Sequence, residues 1–463
     1  MSQHSASRLF RLRACAFAVL FLLTHLSVLA RTRSHYGGSI RIAVDGDPMQ
    51  KTSGLAWTLV LDGLTRLDSQ GIARPALADR WSSDANSSRW QFHLHPNVLF
   101  HDSRALTPLS VVNSLTESCR TAPCPWTGLH VVGASIIITT ETPTPDLPSL
   151  LAQDRFRVQA LNAADIDSSS SSLPIGTGPF RFTRIANGSI SLAANEEYWE
   201  GRPFLDTIEM SSRPASRDPW SIVSSGNFDL AVLRPGELRQ ATQQHAPLLT
   251  RPAASLVLLQ IREESLNPQL RAAAALAIDR NALYQVIFQK QAEITASLLP
   301  AAISGYSFLF PSERDLAHAQ ALRGGATPQP LTIAAENTDA MQLAAARIAL
   351  NLHDAGFNVR VLPPLKEARL PNADLTLRTM PISSGTTELA LEAMLRQLGQ
   401  PIAISTSDPS AAWQAEHEFL DRHIIVPLLF LPRGWAVSPR LRDLQLSFDG
   451  APDLANASLG DAP

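Results

Sequence analysis

Residues 176–210 read GTGPFRFTRIANGSISLAANEEYWEGRPFLDTIEM, and this stretch constrains the fold more than any other. Gly176-Thr177-Gly178-Pro179-Phe180 is a tight turn. Its two glycines allow positive φ or close backbone approach, and Pro179 fixes the chain as it leaves. Two short alternating runs follow, 180–185 and 189–193, split by Asn187-Gly188. That dipeptide is the strongest short-range hairpin signal a sequence offers. Asn195, Tyr198, Trp199, Gly201, Pro203 and Asp206 then form an aromatic-bearing loop that leads into another strand at Ile208. On pattern alone the segment is β-rich architecture with a rigid entry.

A chain of 463 residues is too long for one compact core, so two or three lobes are expected. Hydrophobic content of 45% with 17% charged residues is ordinary for a globular protein and excludes large-scale disorder. The basic residues are almost all arginine, with lysine only at 51, 290 and 366. They are scattered and the net charge is −3, which argues against nucleic-acid binding. Arg8, Arg11 and Arg13 precede an apolar run over 14–30 that closes on Val28-Leu29-Ala30, the pattern of a cleaved signal peptide over residues 1–30. Its removal takes three positive charges from −3 and leaves −6. The alternative is an uncleaved N-terminal membrane anchor, disfavoured by His25 and the short run. Export places Cys119 and Cys124 in an oxidising compartment, where a pair spaced this way is expected to form a local disulfide. A metal site there is disfavoured, because only His130 lies close by.

Along the chain, 39–44 alternates at period two and ends in Asp45-Gly46-Asp47-Pro48, a strand running into a turn. Residues 55–67 carry apolar side chains at helical spacing. Trp90, Phe92 and Leu94 share one face of a strand. Thr107 and Pro108 supply an N-cap and a first-turn proline. The β-branched run 131–139 reads as one buried strand, and 146–152 as a short helix capped by Asp146. His93, His95 and His101 invite a metal reading, but no carboxylate or cysteine cluster accompanies them. Residues 168–172 are a five-serine linker. Further on, 256–261 is a buried strand, and Asp279 caps the helix that follows it. Residues 330–335, 339–355 and 357–361 form a β-α-β unit closed by Gly356. Strands return at 426–431 and 444–448.

Three runs carry a resemblance. Residues 176–208 resemble the GTGPF/Y…N-x-x-Y-W-x-G-x-P-x-x-D-x-I signature of family-5 extracytoplasmic solute-binding proteins, the peptide/nickel class that serves ABC importers. Pro75-Ala76-Leu77-Ala78, Trp81 and the run from Trp90 to Phe100-His101-Asp102 are similar to a second block of that family, with Ser103 and Leu109-Ser110 as departures. Asn267-Pro268, Leu270-Arg271 and Ala277-Ile278-Asp279-Arg280 resemble a third. The resemblance implies an α/β, periplasmic-binding-protein-like fold (type II, cluster C) of two large lobes, an extra small domain and a cleft between the lobes. It places lobe I in 37–52, 174–255 and 428–450, the small domain in 53–173 and lobe II in 256–427.

It further implies a periplasmic receptor without enzymatic activity or cofactor, monomeric, that closes over a small-molecule or peptide ligand and hands it to a membrane permease. In peptide-binding members an aspartate after the β-α-β unit pairs with the ligand's ammonium. Here Asp374 leads the matching strand, and no acid or tryptophan occurs from 375 to 387. An isolated buried ammonium loses several kcal/mol of hydration, so a free peptide N-terminus is disfavoured as the ligand. Arg378 with Ser383 and Ser384 would suit an anionic or hydroxyl-bearing solute. Asp47, Trp57 and Met380 complete the ligand-binding residues expected from position in the matched order. The departures leave a sensory or degenerate solute-binding-like protein as the alternative. The enzyme reading lacks a G-x-S-x-G, H-E-x-x-H, P-loop or G-x-G-x-x-G motif.

Overall fold

The computed structural model describes residues 35–48, 54–120, 124–161, 173–186, 188–213, 218–306, 309–325, 329–365, 370–400, 402, 404 and 410–460. The expected signal peptide and the serine linker lie outside them.

Strand β1 (Ser39–Val44) buries Ile40, Ile42 and Val44 against helix α1 (Leu55–Val60). A hairpin of β2 (Thr65–Leu67) and β3 (Ala73–Pro75) leads into a separate four-stranded sheet. That sheet consists of β4 (Ala78–Ser83), β5 (Arg89–Leu94), β6 (Trp126–Val132) and β7 (Ser135–Thr140), in the order β4-β5-β7-β6. Helices α2 (Pro108–Ser118) and α3 (Leu147–Leu150) pack on it, and residues between Leu64 and Ala160 make a core of their own. The chain returns through the hairpin β8 (Phe180–Ala186) and β9 (Ser189–Ala194), then β10 (Thr207–Ser212), α4 (Pro219–Ser224), β11 (Leu230–Leu233) and α5 (Pro235–Gln243).

The 14-residue strand β12 (Leu248–Ile261) crosses into a second α/β region. Its further elements are α6 (Pro268–Ala277), β13 (Glu293–Ile294), α7 (Leu316–Arg323), β14 (Leu331–Ala335), α8 (Asp339–Asp354), β15 (Val359–Val361), β16 (Leu375–Pro381), α9 (Thr387–Gln397) and α10 (Ala411–Asp421). Strand β17 (Ile425–Val437) crosses back. One 11-stranded sheet runs through both regions outside the small domain, in the order β15-β14-β16-β12-β17-β11-β1-β10-β9-β8, with β13 on β17. In the second region α6, α7 and α8 cover one sheet face, and α9 and α10 cover the other.

The opening stretch folds as read: β8 and β9 pair antiparallel across Gly188, which has φ +71°, and β10 pairs β9. Its glycines serve close approach. A Cβ at Gly176 would lie 2.0 Å from the Val60 carbonyl oxygen, and one at Gly178 2.6 Å from that of Leu59. Thr107 caps α2 in a capping box with Ser110, Asp279 accepts from the Ala282 amide, and β14-α8-β15 is a parallel unit.

Four expectations are corrected. The 55–67 helix stops at Val60, where the next residues turn extended, and 65–67 is a strand. The run 131–139 is a hairpin, not one buried strand: Gly133 takes φ +58° between β6 and β7, leaving Val131 and Val132 exposed. Asp146 makes no side-chain cap to α3, because its carboxylate is committed elsewhere. The terminal 444–448 strand shrinks to Gln445–Leu446.

Candidate functional site

Strands β1, β10 and β11 run parallel to one another, as do β14, β15 and β16. The two crossing strands show how these sets face each other. In β12, Leu248–Arg251 pair with 433–436 of β17 and Ser255–Gln260 pair with 425–431. The carboxyl end of β11, Leu233, lies opposite Gly434. The carboxyl end of β16, Pro381, lies opposite Ser255. Both ends therefore point at the same short gap between Arg251 and Ser255. Ligands of open α/β sheets bind outside the carboxyl ends of the strands, and here two such crevices meet head-on. At the gap the ladder breaks. Residues 252–254 face the single Pro432, Pro252 and Pro432 have no amide to donate, and Ala253 takes φ +46°. Both crossing strands are thus weakened at the same level.

The first lip of this cleft carries fixed charge pairs. Arg234, just after β11, donates from Nε and Nη2 to both oxygens of Asp45, just after β1, at 2.8 and 2.6 Å. Its amide donates to Glu237 at 2.8 Å, and Glu237 accepts from Arg213, just after β10, at 2.7 Å. The hydrogen bonds from Arg234 hold the Asp45 carboxyl below its ordinary range despite partial burial. The pair is about half exposed, so it organises the lip more than it stabilises the fold, at under about 1 kcal/mol. On the second lip Glu336, just after β14, accepts from the Thr379 amide at 2.8 Å and from the Thr379 hydroxyl at 2.9 and 3.0 Å. Burial pushes Glu336 upward in pKa. Arg378 stands beside it, drawn to Glu336 but shifted downward by its own burial, and its Nε meets no acceptor. Asp339, opening α8, adds to the field on Arg234 from across the cleft. A Cβ on Gly236 would come within 3.0 Å of Gln289, so the lips are close together.

The family profile of bacterial extracellular solute-binding proteins, family 5 (middle region), matches residues 73–403, most of the chain. The chain belongs to that family. Heme-binding protein A of Haemophilus influenzae is 24% identical over 272 residues, 50% of this chain and 50% of that protein. The chain spans about half, or less, of the length of the curated relatives it matches. Among solved structures, AgaA of A. tumefaciens R10 in complex with agropinic acid superposes with a TM-score of 0.78 at 17% identity, covering 92% of this chain and 99% of that one. NikA from Staphylococcus aureus in complex with Ni(L-His)2 gives 0.72 at 16% identity, covering 92% and 100%. These likenesses establish a periplasmic-binding-protein-like α/β fold.

Within this family-5 chain the six residues expected at the site are spread over different settings. Asp47 is exposed on the turn after β1, at the first lip. Trp57 is buried on α1, edge-on to Phe182 at 6.0 Å between ring centroids. Arg378 is half-buried on β16. Met380 lies in the core beneath α9. Ser383 is buried, and Ser384 is fully buried, donating to the Gly71 carbonyl at 3.3 Å and accepting from the Thr386 amide at 3.2 Å. Asp374 ties strands together, accepting from Thr332 and Ser265. Sequence reasoning missed Asp45, Arg213, Arg234, Glu237, Glu336 and Asp339. The available signal was position, since each follows closely on a strand.

The three histidines are accounted for separately: His93 by Asp79, His95 by the Pro96 carbonyl and the Trp199 ring, His101 by Gly176 and Gly178. No group of three or more metal-ligating side chains occurs among the described residues. Cys119 and Cys124 are disulfide-bonded. No helix among the described residues is long and apolar enough to cross a membrane. A recess of about 510 Å³ lined by Arg41, Arg184, Glu209 and Asn227 lies at mid-strand on the outer sheet face, away from the carboxyl ends.

Proposed function

We propose that this family-5 protein is a periplasmic receptor, exported by a cleaved signal peptide, that closes its two lobes over a small polar solute and delivers it to the permease of an ABC importer. The observation that carries the reading is the head-on meeting of two sets of strand carboxyl ends across a proline-weakened pair of crossing strands. Closure is then a hinge motion in which contacts to both lobes shift an open–closed equilibrium. The division expected is lobe I (37–52, 174–255, 428–450), small domain (53–173) and lobe II (256–427). Separate hydrophobic cores support it except at 55–61, which pack into the core of lobe I, while the small-domain core begins at Leu64.

Structural neighbours are described with agropinic acid, nickel–histidine and a nonapeptide, so the fold leaves the cargo open and the side chains must choose. Arg378 favours a carboxylate-bearing solute. Its guanidinium is half-buried, its Nε has no acceptor, and its planar fork matches a carboxylate. The lip pairs Asp45–Arg234 and Arg213–Glu237 are already neutralised and would supply hydrogen-bonding edges.

The test is a melting-temperature screen against opine-like acids, di- and tripeptides, nickel–histidine and haem, followed by affinity measurement on Arg378→Ala. A stabilised melting point with a carboxylate-bearing solute is expected. Loss of the charge-assisted contact should weaken binding roughly tenfold or more. Stabilisation by none of the four classes would sink the receptor reading, and undiminished binding by Arg378→Ala would remove that residue from the site.

A further inference from the structure

The small domain grips the second lobe at two places. At the first, the turn over 68–72, between β2 and β3, lies on Ser384-Gly385: the Gly385 amide donates to the Gly71 carbonyl at 3.0 Å. Asp68 holds that turn in shape, accepting from the amides of Gln70 and Ile72.

At the second place, Asp146 comes from the segment just before α3, whose Leu147 and Leu150 are anchored in the small-domain core. Its carboxylate accepts from Arg396 of α9 at 2.5 Å. One turn earlier on α9, Glu392 is turned to the same place, and its Oε1 accepts from the Ile404 amide at 2.6 Å. Asp146 is fully buried, Glu392 is 1% exposed and the Arg396 side chain 15%. Three polar atoms of this cluster are buried without any partner: Oδ2 of Asp146, Oε2 of Glu392 and Nε of Arg396. An unsatisfied buried polar atom costs about 1–3 kcal/mol, so a purely structural seam would not be expected to keep three of them together. Two carboxylates share one guanidinium, which leaves one negative charge in excess if both ionise.

We infer that Asp146, Arg396 and Glu392 form a proton-sensitive latch that ties the small domain to the second lobe and holds the lobes together. The inference rests on the proposed opening and closing of the lobes. The groups facing Glu392 are Asp146 from the small domain, Arg396 and Glu388 from its own helix, and the Ile404 amide. Burial, with Asp146 adding to it, raises the Glu392 carboxyl to about 7. Burial raises the Asp146 carboxyl as well, ahead of the opposing pull of Arg396, so with one proton held between the two carboxyls the cluster is neutral and the latch holds. When that proton leaves, the excess charge favours an arrangement in which water reaches the seam. The closed form thus gains as pH falls through 7 toward the ordinary carboxylate range.

Small-angle X-ray scattering of the whole protein at pH 5.5 and 8.5 tests this. The compact form should predominate at pH 5.5, with its ratio to the expanded form falling on the order of tenfold by pH 8.5. Glu392→Gln should stay compact at both pH values. Arg396→Met, which leaves two carboxylates without a cation, should be expanded at pH 8.5. Should Arg396→Met fail to fold, Glu392→Gln, which conserves shape, still decides. Scattering indifferent to pH and the same in wild type and Glu392→Gln overturns the latch. The receptor reading is judged separately by the solute screen. A solute that shifts the melting point while scattering ignores pH sinks the latch alone.

Discussion

The small domain meets the first lobe at one seam and the second lobe at another, and the two are built from opposite materials. The first seam is backbone on backbone. Gly176 and Gly178 lie against Leu59 and Val60, Gly178 donates its amide to Val60 at 3.0 Å, and His101 and Asn195 both bond the Gly178 carbonyl at 3.0 Å. Thr177 and Trp199 donate to Asp62 alongside. The second seam is a turn resting on Ser384-Gly385 and a buried ion pair beside Glu392, the three side chains leaving three atoms unpartnered. Backbone contact through glycines admits no alternative packing and gains nothing by opening. Buried charge in excess is relieved by water. The first seam is a weld, and the second is a clasp.

Gly176→Ala should break the comparison most severely. Its Cβ would overlap the Val60 carbonyl, and overpacking of this kind costs about 1–3 kcal/mol, near the upper end where backbone must move. Urea unfolding measures the loss, and a stability change below about 0.5 kcal/mol would show that the weld yields. Next in size is the pH dependence of melting. Glu392 and Glu416 are both raised to about 7 by burial, so the native state holds protons that the unfolded state releases near the ordinary carboxylate range. Stability is therefore fully present below that range and falls as pH rises through 7. Glu392→Gln should reduce the fall in melting temperature between pH 5 and 8, leaving the shares of Glu416 and of Asp62, Asp146 and Glu336, which burial also raises. An unchanged fall would take Glu392 out of the account. Smallest is Thr107→Ala, at the exposed start of α2 in the small domain and in neither seam. It should lower stability by about 1 kcal/mol through the lost cap and leave the scattering profile unaltered at both pH values. A changed profile would mean that the clasp senses general weakening of the small domain rather than its own charges.

Much of the first seam was legible in the sequence because it is local chemistry. Glycine spacing, Asn187-Gly188 and the aromatic loop each carry their geometry with them, and the β-α-β unit announced itself through Gly356. Caps at Thr107 and Asp279 were legible for the same reason. The hairpin within 131–139 was hidden because Gly133-Ala134 interrupts a β-branched run too briefly to read as a break. The crossing strands were hidden because Pro252 and Pro432 read as strand ends, whereas they weaken strands that continue. The cleft pairs were out of reach: Asp45 and Arg234 are 189 residues apart, and Asp146 and Arg396 are 250 apart. Nothing in a single sequence joins such residues, and Asp146 looked like the helix cap that its position would ordinarily make it.

The placement of β1 has a consequence for the order in which the molecule is made. Ser39 pairs with Thr207, and the lobe it belongs to is finished only when Trp435 and Val437 arrive beside β11. The core between Leu64 and Ala160 is buried almost wholly within that span, and only Ile175 and Trp199 pack against it from later in the chain. Loop-closure entropy favours the nearer contacts first, so the small domain should acquire its structure while β1 still waits for partners. Pulse-labelled hydrogen exchange would show protection in β5 and β7 before β1; the reverse order would refute it. On this schedule Asp146 is seated before Arg396 has a helix to stand on, and the half of the clasp that forms first is the half that recruits the other.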